Sequence, residues 1–107
     1  MITATVLKNS NNYISFSCEG HAGYARKGSD IVCAAVSMLT INAANSINEL
    51  TDTKIDIVID EKSGFASWQF TDETDEKVRL LMDSLVLGLQ SIRDNYKKYL
   101  TLKIEEV

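Results

Sequence analysis

The sequence predicts an α+β domain with elements in the order ββαββαβ, a mostly antiparallel sheet carrying two packed helices. Three observations lead there. Branched and small or polar residues alternate with a period of two in several short stretches. Two long stretches carry apolar residues at helical spacing, and turn residues separate the pieces. The chain of 107 residues has no proline, which favours uninterrupted elements, and is long enough to bury a core without disulfide or metal staples. Residues 1–107 are therefore read as one domain.

Ile2 to Leu7 alternate branched with small residues, and Lys8-Asn9-Ser10-Asn11-Asn12 is a polar turn. Tyr13, Ser15 and Ser17 then alternate with Ile14, Phe16 and Cys18, which predicts a hairpin with the second set facing the core. The helix predicted over Ile31 to Leu50 has Asp30 or Ser29 as N-cap. Ile31, Ala35, Met38, Leu39, Asn42, Ile47 and Leu50 mark its expected packing face, widened by Ala34, Val36, Ala43 and Ala44. Thr51-Asp52-Thr53 closes it.

Ile55, Ile57 and Ile59 predict a half-buried strand, turned by Lys62-Ser63-Gly64 into Phe65–Phe70. Trp68 is read there as a core residue. Thr71 to Glu76 is an acidic helix start, suited to the positive end of the helix dipole. Val78, Leu81, Met82, Leu85, Val86, Leu89 and Ile92 then follow at spacings of three and four. Tyr99 to Ile104 alternates as a last strand.

The chemistry concentrates in Gly20-His21-Ala22-Gly23-Tyr24-Ala25 and Gly28-Ser29-Asp30-Ile31-Val32-Cys33. This stretch holds the only histidine and one of two cysteines. A thiol in the first turn of a helix meets unpaired N–H groups and the dipole, which favour a thiolate and can also receive an oxyanion. His21 can keep that thiol ionised and later protonate a leaving amine. Gly23 and Gly28 allow a loop that covers the site and moves aside, with Tyr24 as its anchor in the closed form. Ser37 lies one turn beyond Cys33 on the same helix face, and Asp30 either orients His21 or only caps the helix. The plainer readings are a packed cysteine, a turn histidine, loop glycines and a solvated acidic helix start.

The run from Gly20 to Ala25 with Gly28 and Asp30-Ile31-Val32-Cys33-Ala34-Ala35-Val36-Ser37 closely resembles the Prp family, the ribosomal-processing cysteine proteases of certain bacteria. The resemblance extends over the whole chain in length and element order. It implies Cys33 as nucleophile and His21 as its partner, with Asp30 and Ser37 supporting and Gly23, Tyr24 and Gly28 in a substrate loop. It also implies a homodimer, and as substrate the N-terminal extension of a basic large-subunit ribosomal protein, cut after a phenylalanine. The aromatic side chain would need an apolar pocket, which Tyr24 and first-helix residues are expected to form.

Composition narrows the alternatives. One histidine and two separated cysteines fall short of a structural metal site, and no cofactor is expected. The net charge of −4 argues against direct nucleic-acid binding and suits a basic partner. No signal peptide and no window long enough to cross a bilayer are expected, which places the chain in the cytoplasm. The principal rival is a non-catalytic ribosome-assembly interaction module using the loop to hold a peptide. A redox sensor built on Cys33 is a further class.

Overall fold

The computed structural model describes residues 1–107. The elements are β1 (Ile2–Asn9), β2 (Asn12–Glu19), α1 (Ile31–Leu50), β3 (Val58–Asp60), β4 (Phe65–Gln69), α2 (Glu76–Asn95) and β5 (Leu100–Glu106). The predicted order ββαββαβ is thus the observed one. One five-stranded sheet runs β3-β4-β2-β1-β5, antiparallel except for the β1–β5 pair. That parallel pair follows from α2, which crosses from β4 on one side of the hairpin to β5 on the other.

The inward side chains of β1 are Ile2, Ala4 and Val6, spaced by two as the pleat demands. They meet Val32, Val36, Ala43, Ala44 and Ile47 of α1 and Val78, Met82, Leu85, Val86 and Leu89 of α2 in one core. Phe16 and Trp68, directly opposite on β2 and β4, stack with ring centroids 4.8 Å apart. Such a cross-strand aromatic pair adds about 0.5–1.5 kcal/mol beyond the area it buries.

Four local expectations are corrected. In β2, Tyr13 is buried and Ile14 only half-buried, because Lys8 pairs Tyr13 while Leu7 pairs Ser15. Ile14 is the extra residue of a bulge, and a bulge reverses the parity of what precedes it. On α1 the buried stripe is Val32, Val36, Thr40, Ala43, Ala44 and Ile47, whereas Ile31, Met38 and Leu50 are exposed. A helix apolar on most sides leaves periodicity unable to choose the face.

The strand expected from Ile55 is shortened to Val58–Asp60 and wholly exposed. Ile55 itself is buried, with its N–H donating to Asn48 Oδ1 (2.8 Å) and its carbonyl accepting from Asn48 Nδ2 (3.1 Å). A side-chain amide takes the place of a neighbouring strand there. Finally, α2 starts at Glu76, not Thr71, with Asp75 as N-cap (Asp75 Oδ1 accepts from Val78 N, 2.9 Å). Thr74 just before it is buried and bonded to Asn12 Oδ1 (2.7 Å), which anchors the connection to the β1–β2 turn.

One further expectation fails on composition. α1, 20 residues long, is long and apolar enough to cross a bilayer. Its buried stripe packs into the protein core, while Ile31, Met38, Ile41 and Leu50 add exposed apolar surface.

Candidate active site

Asp30 closes the glycine loop and opens α1 in one stroke. Its Oδ1 accepts from the N–H groups of Val32 and Cys33 (both 3.0 Å), the capping bonds. Its Oδ2 accepts from the N–H groups of Tyr24 (2.9 Å) and Ala25 (3.3 Å). Desolvation works against the carboxylate, but the four amide hydrogen bonds outweigh it and hold the Asp30 carboxyl below its ordinary range. Asp30 makes no bond to His21, so the alternative in which it orients that ring gives way to capping and to latching the loop. The same bonds remove a second expectation. The Cys33 amide, free by helical counting, is engaged by Asp30 and is not a free oxyanion donor.

The amide that does face the sulfur is Ala22 N–H, 3.2 Å from Cys33 Sγ. Ala22 is buried and is steadied by the Met1 nitrogen, which donates to the His21 carbonyl at 2.6 Å. His21 is exposed in the loop just past β2, and its Nε2 is 3.0 Å from the Lys62 carbonyl. A carbonyl only accepts, so Nε2 carries the proton, and Nδ1 of the neutral ring is the nitrogen left to act as a base. In this state His21 has no hydrogen bond to Cys33.

Lys62 belongs to the turn between β3 and β4, and that turn is pressed onto the end of β2. Gly64 has φ +66°, and a Cβ there would collide with the Gly20 carbonyl and lie 3.2 Å from His21 Cε1. Gly20 N–H also donates to the Ser63 carbonyl at 3.2 Å. Only glycine permits this approach. The sequence marked Lys62-Ser63-Gly64 as a turn, but nothing in it placed that turn beside His21.

Cys33 and His21 share a cavity of about 330 Å³. Val36, Ser37, Thr40 and Ile41 of α1 line it, as do Ile59, Asp60 and Glu61 at the β3 edge and Phe65 and Ala66 of β4. Ser37 therefore stands where its spacing from Cys33 placed it. Cys18, read as a core residue, is buried and also lines the cavity; burial pushes its thiol up. The Thr40 hydroxyl is buried in the same wall, beside the Cys18 thiol whose upward shift it opposes. Sequence reasoning missed Thr40 because a threonine in an apolar helix gives no signal until the sheet beneath it is known.

Tyr24 is not part of the cavity, contrary to expectation. Its ring packs edge-on against Tyr96 (5.6 Å) and Tyr99 (5.1 Å), at the α2–β5 connection. Gly23 and Gly28 sit in the loop with φ +71° and +90° in open space.

The chain as a whole has counterparts among known proteins. A sequence profile described as cysteine protease Prp matches residues 1–101. The ribosomal processing cysteine protease Prp of Bacillus subtilis is 31% identical over 102 residues, covering 91% of each chain. That of Staphylococcus aureus is 28% identical over 103 residues, 95% of this chain and 97% of its own.

Among solved structures, Prp from S. aureus with a covalently linked product peptide superposes with a TM-score of 0.92. It is 27% identical, and the match covers 98% of this chain and 100% of that one. SMU.848 from Streptococcus mutans gives 0.88 at 35% identity, covering 100% and 96%. Profile, relatives and fold agree over nearly the whole length, and the chain belongs to the Prp family of ribosomal-processing cysteine proteases.

Proposed function

We propose that this chain is an endopeptidase with a Cys33–His21 dyad that removes the N-terminal extension of a large-subunit ribosomal protein, cutting after an aromatic residue. The observation that carries the reading is the placement of Cys33 Sγ and the His21 ring on one cavity, with His21 Nε2 committed to the Lys62 carbonyl. That commitment leaves Nδ1 for the thiol once substrate entry shifts the ring or the loop toward Cys33. Catalytic hydrogen bonds often tighten only with substrate bound.

Cys33 Sγ attacks the scissile carbonyl carbon after His21 takes the thiol proton. The Ala22 amide, already facing the sulfur, donates to the oxyanion. His21 returns the proton to the departing amine, leaving a thioester. Water then attacks the thioester with His21 as base, releasing the new carboxylate and the thiol. Asp30 and Ser37 support the site, and the loop of Gly23, Tyr24 and Gly28 moves to admit substrate.

An aromatic side chain is suited to a cavity walled by Val36, Ile41, Ile59 and Phe65. The S. aureus Prp has been solved with a substrate peptide and with a covalently linked product peptide, which supports a peptide ligand and a covalent route for its relative here. The acidic chain suits a basic ribosomal protein in the cytoplasm. Pairing as a homodimer accords with the exposed Ile31 and Met38 of α1, and sedimentation of the wild type against Met38→Asp tests it.

The main test incubates wild type and Cys33→Ala with a peptide spanning the extension, with products identified by mass spectrometry. A single cut after the aromatic residue by wild type alone is the expected result. A peptide bound by both and cut by neither supports the interaction module instead.

A further inference from the structure

The sheet has two free edges, and they are protected differently. β5 carries Lys103, Glu105 and Glu106 beside Ile104, the charged kind of edge that resists pairing with another chain. β3 pairs only with β4, and all three of its residues are exposed, including Val58 and Ile59. It has no proline and no lysine. An exposed edge that carries Val58 and Ile59 offers a template to another chain, and its three-residue length limits the partner to a short added segment.

Its position says what uses it. Ile59 and Asp60 line the cavity that holds Cys33 and His21, and the turn after Glu61 supplies the carbonyl that holds His21. The β3 edge is therefore continuous with the catalytic cavity, so a chain lying along it runs into the site. The charged side chains of that wall, Asp60 and Glu61, are both carboxylates, matched to a segment of a basic protein.

We propose that the free edge of β3 is the docking strand for the substrate. Residues flanking the scissile bond, in extended form, add to Val58–Asp60 as a further strand, and backbone hydrogen bonds set their register against Cys33. The inference rests on the protease reading for the identity of the occupant. It adds a specificity rule: an edge read through backbone amides demands an extended segment, and side chains are selected only at alternate positions.

The experiment measures binding to the Cys33→Ala protein of the peptide spanning the extension, and of a set each N-methylated at one backbone amide. Affinity should fall roughly three- to tenfold or more at alternate positions, with little change between them, since each such site loses one hydrogen bond. Amide hydrogen exchange at β3 should slow when the parent peptide binds. Losses without alternation, or unchanged β3 exchange, overturn the proposal. So does slow β3 exchange in the free protein that depends on protein concentration, because a second copy would then occupy the edge. Absence of binding to Cys33→Ala also overturns it, and cleavage by wild type in that case leaves the protease reading standing. Alternating losses with no cleavage by wild type reject the protease reading and keep the docking strand.

Discussion

The two helices begin alike and are used differently. Each is 20 residues long, and each starts at an aspartate N-cap. Asp75 caps α2 by accepting from Val78 alone, which is all a helix end needs from it. Asp30 accepts from four backbone amides, two in α1 and two in the preceding loop. The same residue type in the same local position thus serves as a cap in one helix and as cap and loop latch in the other. The difference teaches that the added role of Asp30 comes from the glycine loop folding back over its carboxylate. Behind α1 lies a site; behind α2 lies a connection locked by Thr74 and Asn12.

Four changes break or sharpen this contrast. The largest acts on the residue that α1 positions and α2 lacks. Cys33→Ala, and Cys33→Ser with it, should lower peptide cleavage by about 10³-fold or more while the circular dichroism and melting behaviour stay native. An active Cys33→Ala protein would end the nucleophile assignment. Next is Gly64→Ala, which puts a methyl group against the Gly20 carbonyl and beside His21. Its kcat/KM should fall by about tenfold or more through displacement of the turn that holds the ring, consistent with the cost of a small misplacement at a site.

The paired caps come third. Asp30→Ala and Asp75→Ala should each cost about 1 kcal/mol in denaturant unfolding, the usual value of a lost cap. Only Asp30→Ala should also reduce cleavage, because only Asp30 holds the loop. Equal activity in the two variants would erase the distinction drawn between them.

The smallest effect is in acid. The folded carboxyl of Asp30 titrates below its ordinary value of 3.8, so its stabilisation is present above that value and is lost as pH falls through the folded one. The gap in melting temperature between wild type and Asp30→Asn should therefore narrow only below about pH 4. A gap that closes at neutral pH would show that the charge on Asp30 contributes nothing.

Much of this molecule is legible locally. The bounds of α1, Asp30 as its cap, and the facing of Val78, Met82, Leu85 and Leu89 on α2 are all set by interactions within a few residues. His21 and Cys33 also stand out from their residue types and their loop. Ile14 and the α1 face were misread for a common reason. A bulge, and a helix apolar nearly all round, hide the side that faces the core until a partner chooses it.

The sequence by itself determined the order of elements, the helix that carries the thiol, and the glycine loop between histidine and cysteine, because each depends on short-range spacing and backbone freedom. Only the tertiary structure decided that Lys62 holds His21, that Thr40 and Cys18 line the cavity beneath Cys33, and that β3 lies exposed beside it. Those facts depend on the strand order β3-β4-β2-β1-β5, which brings residues 21 and 62 together. The group that holds His21 is a backbone carbonyl, and since every residue carries one, its place in a site leaves no mark on the sequence.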